Sequence, residues 1–222
     1  MEKSSKKRVV CPVQYKQCEW LLEVKSLRKE VSELSELVST DPLTGLYNFR
    51  FFSQMMKLEM ERTRRNAMPT CMVMVDLDHF KNINDTWGHE VGNIALKLAA
   101  DIFKQQVRST DFVCRYGGEE FAIILPETHL RMALPVAERI RLAIEQTPVV
   151  FENGHFSFTA SMGANVYTAT SEQDITAFVA SVDQYLYQAK EGGRNQIGYP
   201  SELDVKPSDG VTDEERDGLL GK

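Results

Sequence analysis

The segment Arg115-Tyr116-Gly117-Gly118-Glu119-Glu120-Phe121 lies between two runs of apolar residues. Phe112-Val113-Cys114 precedes it, and residues 121–125 continue as Phe-Ala-Ile-Ile-Leu. Two β-rich runs joined by a Gly-Gly pair indicate a tight hairpin, because paired glycines tolerate the positive φ of the preferred two-residue turns. The sequence therefore predicts a hairpin whose turn is followed directly by two carboxylates.

Two interpretations fit the adjacent carboxylates of Glu119 and Glu120. One is a solvated hairpin tip, since polar turns are common at protein surfaces. The other is a cation site, where a glycine lets a ligand approach the backbone closely. Features elsewhere in the chain favour the cation site.

The composition is that of an ordinary globular protein. The chain has 222 residues, of which 42% are hydrophobic and 26% charged, with a formal net charge of -6. An acidic balance argues against a general nucleic-acid binder, which would carry a basic stripe. No apolar run has membrane-spanning length, and the basic N-terminus lacks a following apolar segment, so we expect a cytoplasmic protein.

The four cysteines form no C-x-x-C pair. Cys71 and Cys114 fall in predicted core strands, where a thiol behaves as a small hydrophobe. Cys11 and Cys18 flank a short polar stretch without a histidine, and a metal or redox role for them is the alternative interpretation.

A regular apolar pattern follows a polar segment that covers residues 1–19. Valines at positions 24, 31 and 38 alternate with leucines at 27 and 34 in 4-3 spacing, after Trp20. β-Branched residues at heptad position a with Leu at d are typical of parallel two-stranded coiled coils. Residues 20–39 are therefore predicted to form a helix that makes a homodimer; the alternative is one amphipathic helix packing on its own domain.

The rest of the chain predicts an α/β or α+β fold, in which helices cover one sheet. A buried strand over residues 71–75 ends in Asp76-Leu77-Asp78, and residues 82–93 are rich in turn formers, which indicates a loop. Further helices are expected over 49–66, from 94 to about 107, around 133–144 and over 175–189. Further strands are expected over 156–164 and 195–199, and residues 200–222 are expected to form a disordered acidic tail.

Carboxylates cluster in two places, at Asp76 and Asp78 and at Glu119 and Glu120. If the two strands that carry them are neighbours, at least three carboxylates converge at one sheet edge. Such a cluster becomes a hard-oxygen site for Mg²⁺, and Mn²⁺ suits the same ligands. Two-metal phosphoryl-transfer sites have this character. Candidate counter-charges for phosphates are Lys81, Lys190 and Arg194.

Residues 40–199 resemble a GGDEF domain, the diguanylate cyclase family. The resemblance implies a fold similar to the palm of polymerases, with a central, mostly antiparallel sheet wrapped by helices. It also implies condensation of two GTP into cyclic di-GMP and two pyrophosphates across a pair of facing domains. The matching stretches, in the family's order, are Asp41-Pro42-Leu43-Thr44-Gly45-Leu46-Tyr47-Asn48, Val75-Asp76-Leu77-Asp78-His79-Phe80-Lys81, Ile83-Asn84-Asp85, Gly88-His89, Gly117-Gly118-Glu119-Glu120-Phe121, and Ala189-Lys190 with Arg194-Asn195.

The resemblance also implies roles for single residues. Metal ligands are expected at Asp76, Glu119, Glu120 and the Leu77 carbonyl, while Asp78 only supports them. Glu119 is expected to deprotonate the 3′-hydroxyl, with Glu120 and Lys81 as further catalytic residues. Substrate-binding residues are expected at Asn84 for guanine, His79, Phe80 and Lys81 for phosphates, Lys190 and Arg194 for the γ-phosphate, and Gly117 and Gly118 at the turn. His89 lies on the wall of the nucleotide pocket, as a substrate contact or as a packing residue.

One position departs from the family pattern. Gly-His-x-x-Gly-Asp is here Gly88-His89-Glu90-Val91-Gly92-Asn93. An aspartate only accepts hydrogen bonds from the guanine edge, whereas Asn93 offers one acceptor and an amide donor. We therefore hypothesise relaxed base selectivity, with cyclic GMP-AMP as a side product.

Arg108-Ser109-Thr110-Asp111 matches the family's inhibitory Arg-x-x-Asp motif at the family's spacing before Gly117. Arginine forks suit guanine edges and phosphates, so Arg108 and Asp111 are predicted to bind product. An active cyclase is the leading hypothesis. A cyclic di-GMP receptor is the alternative, although degeneracy normally removes the carboxylates present here. A coiled-coil interaction module would leave those carboxylates unexplained.

Overall fold

A six-stranded mixed sheet organises the part of the chain that follows Thr40. The structure is a computed structural model that describes residues 19–37, 39–152 and 154–200. The strands are β1 (Tyr47–Asn48), β2 (Thr70–Leu77), β3 (Phe112–Arg115), β4 (Glu120–Leu125), β5 (Val149–Phe151), β6 (Gly154–Phe156), β7 (Ala160–Tyr167) and β8 (Ile197–Gly198). The helices are α1 (Glu19–Leu37), α2 (Phe49–Asn66), α3 (Phe80–Trp87), α4 (His89–Gln106), α5 (Leu130–Gln146) and α6 (Ile175–Glu191).

Strand β2 lies inside the sheet, whose order is β1-β3-β4-β2-β7-β8. All eight of its residues are buried. It pairs antiparallel with β4 and β7, β3 pairs antiparallel with β4, and the edge strands β1 and β8 pair in parallel. The predicted buried strand and the mostly antiparallel sheet are therefore confirmed.

Alternation along β2 supplies two separate cores. Val73, Val75 and Leu77 join a core that includes Leu96 and Phe103 of α4 and residues of α5. Met72 and Met74 join a second core, built with residues of α2 and α6. Helices thus cover both faces of the sheet.

Helices α2 and α6 lie where the apolar periodicity predicts them. The Asn48 side chain caps α2 by accepting a hydrogen bond from the Phe51 amide at 3.1 Å. Asp174 caps α6 by accepting from the Ala177 amide at 2.8 Å. Such caps satisfy backbone donors that have no partner within the helix.

The predicted loop over residues 82–93 is wrong. Residues 80–87 form α3, and α4 begins at His89, so only Gly88 separates the two helices, with a φ of 83°. Phe80 and Ile83 are buried in the core. Their burial outweighs the weak helix propensity of the Asn, Asp and Thr residues in α3.

The predicted single strand over residues 156–164 is confirmed from Ala160 onward and wrong for residues 156–159. The chain leaves β6 at Phe156 and enters β7 at Ala160. Strand β6 pairs with β5 as a separate hairpin, which contacts Trp87 of α3 through Phe151 and Phe156. Residues 157–159 instead bend toward the end of β2, where the Asp78 amide donates to the Thr159 carbonyl at 2.8 Å.

The first of two compact units ends at Thr40 and contains α1. Trp20, Leu27 and Val31 are exposed on this helix, and Val24 is half-buried. The proposed heptad residue Val38, the polar segment through residue 18 and the tail from residue 201 lie outside the described residues. Among the helices that the structure describes, none is long and apolar enough to cross a membrane.

Candidate active site

Strands β2 and β4 bring the two predicted carboxylate groups together. Asp76 lies directly opposite Glu120 in the antiparallel register. One residue further on, the Leu77 amide donates to the Glu119 carbonyl at 3.3 Å. The end of the buried strand and the turn of the hairpin therefore form one acidic edge, as the sequence suggests.

The turn between β3 and β4 is longer than a two-residue hairpin turn. The Tyr116 and Gly117 amides both donate to the Glu120 carbonyl, at 2.8 and 3.0 Å. Residues 116–119 span the turn, and neither Gly117 nor Gly118 has a positive φ. The predicted primed turn is wrong because a longer loop can reverse the chain without left-handed residues.

A glycine is required at position 117 because a side chain would not fit there, and not because the backbone has a positive φ. A Cβ at this position would lie 2.6 Å from the Glu120 Oε2 atom, whereas a Cβ on Gly118 would meet nothing within 4 Å. The first glycine therefore lets the Glu120 carboxylate fold back against the turn. The second leaves the turn open on its outer side.

Arg115 fixes this turn to the start of the domain. Its guanidinium donates to the Gly118 carbonyl at 2.8 Å and to both Asp41 carboxylate oxygens at 3.2 Å. Burial opposes the charge on Asp41, but hydrogen bonds from Thr44 and the charge of Arg115 leave its pKa below the usual value. No local sequence pattern predicts this contact, because the two residues lie 74 positions apart.

Asp76 lies in an unfavourable setting for a carboxylate. It is 9% exposed, and its Oδ2 atom lies 2.8 Å from the Lys190 ammonium. Burial raises its pKa, and Lys190 only partly offsets that effect. Burial and the charge of Asp76 also raise the pKa of Glu120. The two carboxylates thus resist being ionised together, and a cation between them would relieve this repulsion.

The donors at this edge fit a hard divalent cation. Carboxylate oxygens from Asp76, Glu119 and Glu120, with the Leu77 carbonyl, are the ligand types that Mg²⁺ and Mn²⁺ prefer. Within the described residues, no three His, Cys, Asp or Glu side chains are already close enough to hold a metal. The Lys190 ammonium is the cation paired with Asp76. This ion pair uses the Oδ2 atom of Asp76, so a metal at this position would share the carboxylate with Lys190 or replace it.

Asp78 has a different environment from Asp76. It is 4% exposed. Its Oδ1 atom accepts from the Ser161 hydroxyl at 2.6 Å, and its Oδ2 atom accepts from the Thr159 hydroxyl at 2.7 Å and the Asn195 amide at 3.1 Å. These bonds leave it little capacity to bind a metal, in agreement with the supporting role that the sequence suggests.

The residues predicted to hold phosphates lie at the start of α3. His79 has a φ of 56°, and its carbonyl accepts from the Asn82 amide at 2.8 Å. Phe80 is buried in the core, whereas Lys81 is exposed. His79 also lines a cavity of about 400 Å³ with Asn82 and Thr86. The structure therefore leaves His79 and Lys81 accessible and uses Phe80 for packing.

The residues predicted to contact guanine lie where α3 meets α4. The Asn84 side chain lies over Gly92, where a Cβ would stand only 2.0 Å from its Oδ1 atom. Asn84 and Asn93 are half-buried, and His89 is exposed. Gly92 therefore allows Asn84 to lie between the two helices, close to Asn93, the position at which the sequence departs from the family pattern.

A left-handed turn follows Lys190 at the end of α6. Gly193 has a φ of 114°, and Arg194 and Asn195 have φ values of 64° and 46°. The Arg194 amide donates to the Ala189 carbonyl at 3.0 Å. The charges of both Lys190 and Arg194 act on Asp76, so the two predicted phosphate contacts lie at the acidic edge.

Arg108 and Asp111 form one turn between α4 and β3. The Arg108 amide donates to the Asp111 carboxylate at 2.8 Å, and the Asp111 amide donates to the Arg108 carbonyl at 3.1 Å. Burial raises the pKa of Asp111. The Arg108 side chain is exposed, so the structure presents the predicted product-binding arginine to solvent.

The thiols of Cys71 and Cys114 are buried. Burial raises the pKa of each to about 12. They are therefore inert core residues, as predicted, while Cys11 and Cys18 lie outside the described residues.

Comparison with known proteins identifies the family. The profile described as "Diguanylate cyclase, GGDEF domain" matches residues 38–196, so this chain belongs to the GGDEF domain family. The response regulator PleD of Caulobacter vibrioides is 37% identical over 172 residues, which cover 77% of this chain and 38% of PleD. The chain thus spans less than half the length of this curated relative.

Two solved structures share the fold. The diguanylate cyclase SiaD of Pseudomonas aeruginosa, in complex with its activator SiaC, has a TM-score of 0.71 and 34% identity, covering 80% of this chain and 68% of SiaD. The coiled coil and GGDEF domain of DgcB from Caulobacter crescentus, in complex with c-di-GMP, has a TM-score of 0.70 and 26% identity, covering 80% of this chain and 94% of that structure. The predicted fold class is confirmed.

Proposed function

We propose that this chain is a diguanylate cyclase that condenses two GTP into cyclic di-GMP and two pyrophosphates. The observation that carries the proposal is the register of β2 and β4, which sets Asp76 opposite Glu120 beside the Gly-Gly turn. Family membership supports it, as do two basic residues, Lys190 and Arg194, whose charges act on Asp76.

Each bond formed in the reaction joins a 3′-oxygen to an α-phosphorus. The bond from that phosphorus to the β-phosphate oxygen breaks, and pyrophosphate leaves; the step occurs twice to close the ring. Glu119 accepts the proton of the attacking 3′-hydroxyl. A divalent ion held by Asp76, Glu119, Glu120 and the Leu77 carbonyl would lower the pKa of that hydroxyl and neutralise phosphate charge.

The remaining site residues hold the nucleotide. His79 and Lys81, with the backbone at Phe80, bind phosphates at the start of α3, where the helix N-terminus favours negative charge. Lys190 leaves Asp76 and, with Arg194, binds the γ-phosphate. Asn84 contacts guanine, and His89 lies at the pocket wall. At the turn, Gly118 leaves the backbone open to the substrate, and Gly117 makes room for the Glu120 carboxylate beside it.

The test is incubation of purified protein with Mg²⁺ and GTP, ATP or both, with products separated by mass. We expect cyclic di-GMP from GTP. Asn93 supports a further proposal, relaxed base selectivity, because its uncharged amide binds the guanine edge less strongly than an aspartate does. Cyclic GMP-AMP from the mixture would support that proposal, whereas strict use of GTP would refute it.

The same experiment also tests the alternative function, that of a cyclic di-GMP receptor. A folded protein that makes no product but binds cyclic di-GMP tightly is a receptor. The Arg108–Asp111 turn serves either function, since its exposed guanidinium suits guanine and phosphate.

In the enzyme, this turn is proposed to mediate product inhibition. Arg108→Ala should then remove inhibition by added cyclic di-GMP and leave the initial rate intact. Arg65→Ala, at an exposed arginine of α2, removes the same charge as a control. An inhibition curve that is unchanged by Arg108→Ala would contradict this role.

Two facing domains are needed to complete the reaction, and we propose that α1 brings them together as a coiled coil. The exposed Leu27 and Val31 support this, as does the coiled coil in the DgcB structure. Leu27→Glu should dissociate the dimer in sedimentation and lower the activity. Ser26→Glu, at a neighbouring solvent-facing heptad position, is the control. Equal sedimentation of both variants as dimers would count against the coiled coil.

A further inference from the structure

The turn after α6 holds two residues in a strained conformation. Arg194 and Asn195 are both left-handed, with φ values of 64° and 46°. A non-glycine residue in this region costs on the order of 1 kcal/mol or more, although asparagine tolerates it better than most. Such a conformation persists only where surrounding contacts hold it.

Asn195 makes those contacts in two directions. Its backbone amide donates to the Asp78 carboxylate at 3.1 Å. Its side-chain oxygen accepts from the Arg141 guanidinium at 2.7 Å, and its side-chain nitrogen donates to the Glu145 carboxylate at 2.9 Å. One asparagine therefore joins the end of β2 to helix α5.

The α5 side of this network is itself well fixed. Arg141 lies one turn from both Glu138 and Glu145 and binds them at 2.7 and 3.0 Å. Its side chain is only 12% exposed. Because two carboxylates hold the guanidinium in place, it presents a fixed donor to the Asn195 oxygen.

The β2 side leads directly to the acidic edge. Asp78 is held by Thr159 and Ser161 and stands two residues after Asp76 on the same strand end. The Asn195 amide thus fixes the turn to the segment that carries the proposed metal ligands. Arg194 precedes Asn195 in this turn, and its own amide is bonded to the Ala189 carbonyl at 3.0 Å, so the contacts of Asn195 and this bond together set the Arg194 backbone.

We propose that Asn195 is a positioning residue that holds Arg194 at the γ-phosphate of bound GTP. This inference rests on the proposed function, in which Arg194 contacts that phosphate. Asn195 acts through Arg194 and touches no substrate atom. Its side chain supplies a rigid link to α5, so that the guanidinium is in place before the nucleotide binds.

The test compares binding of 3′-deoxy-GTP and 3′-deoxy-GDP, which lack the attacking hydroxyl and do not react. Asn195→Gly removes the side-chain bonds but accepts a positive φ and keeps the amide bond to Asp78. We expect about a tenfold weaker affinity for the triphosphate and less than about a twofold change for the diphosphate. In an Arg194→Ala background, Asn195→Gly should add less than about twofold, because coupled residues are not additive.

Arg141→Gln gives a second, independent variant in which Asn195 itself is intact. It should also weaken binding of the triphosphate more than that of the diphosphate. Asn66→Gly is the control: Asn66 is the last residue of α2, and its side chain accepts from the Met68 amide before the other end of β2, so the variant should leave the ratio of affinities unchanged.

Three results would overturn the inference. The first is that Asn195→Gly and Arg141→Gln both keep the wild-type ratio of triphosphate affinity to diphosphate affinity. The second is that Asn195→Gly weakens triphosphate binding as much in the Arg194→Ala background as it does when Arg194 is present. In either case the wild type still binds 3′-deoxy-GTP, and the proposed function stands. If the folded wild type binds neither nucleotide, the proposed function fails and this inference fails with it.

Discussion

Asp76 and Asp78 stand two residues apart at the same end of β2, and their surroundings differ sharply. Asp78 accepts from two hydroxyls and one amide, all of which belong to segments far away in the sequence. Asp76 faces another carboxylate, that of Glu120, and has one ammonium partner, Lys190. One carboxylate is satisfied by neutral donors, and the other by a lysine ammonium.

This difference separates structure from function within one strand. Neutral donors fixed in the fold stabilise a buried charge without needing a ligand. A carboxylate that shares a lysine with a crowded acidic edge can exchange that lysine for another cation. We therefore propose that Asp78 supports the architecture of the site and that Asp76 takes part in its chemistry.

The largest expected effect is on activity. Asp76→Asn removes a proposed metal ligand and should lower the rate of cyclic di-GMP formation about 10³-fold, since metal stabilisation of phosphoryl charge contributes several kcal/mol. Its melting temperature should stay within about 2 °C of wild type, because the lost carboxylate was poorly stabilised. A variant that retains more than a tenth of the wild-type rate would remove Asp76 from the chemistry.

The next largest effect is on stability. Asp78→Asn is nearly isosteric but cannot accept from all three donors, so it should cost about 2 kcal/mol of unfolding free energy and about 6 °C in melting temperature. Thermal denaturation measures the loss. Asp101→Asn, at an exposed position of α4, is the control. Equal melting temperatures for the two variants would mean that Asp78 does not hold the site together.

The smallest effect depends on pH. Burial and the charge of Asp76 raise the pKa of Glu120 above 4.5, so the folded state binds more protons than the unfolded one and loses stability as pH rises through this range. Without metal or nucleotide, Glu120→Gln should melt on the order of 2 °C above wild type at pH 7. The difference in melting temperature between Glu120→Gln and the wild type should disappear toward pH 4.

Glu172→Gln, at an exposed loop residue, serves as the control for that pH series. If Glu120→Gln is instead less stable than wild type at neutral pH, the acidic edge is not a site of repulsion. Saturating Mg²⁺ with GTP should abolish the advantage of the variant, because bound cation stabilises the wild-type carboxylates.

Much of this arrangement could be predicted from the sequence because it depends on local patterns. Strand β2 is a continuous apolar run, and α6 shows a regular helical face. The hairpin makes β3 and β4 neighbours, and the acidic edge follows once β2 pairs with β4. The strands, the helix and the hairpin require only short-range periodicity and turn formers, whereas the pairing of β2 with β4 is a condition that the local patterns do not supply.

The missing parts depend on contacts between distant residues. Asn195 lies 117 residues after Asp78, and Arg115 lies 74 residues after Asp41, so no local pattern connects either pair. Helix α3 was missed because its Asn, Asp and Thr residues are common in loops, while burial of Phe80 and Ile83 decides its conformation. The extended turn at Gly117 follows from two amides that share the Glu120 carbonyl.

The most direct measurement is the rate of pyrophosphate release from GTP by wild type, Asp76→Asn and Asp78→Asn. Each rate is divided by the fraction folded at a temperature well below both melting transitions. We expect Asp76→Asn to be folded and about 10³-fold slower, while Asp78→Asn retains kcat within about tenfold of wild type with a raised KM. Equal losses of kcat in the two folded variants would contradict the division of roles between these carboxylates.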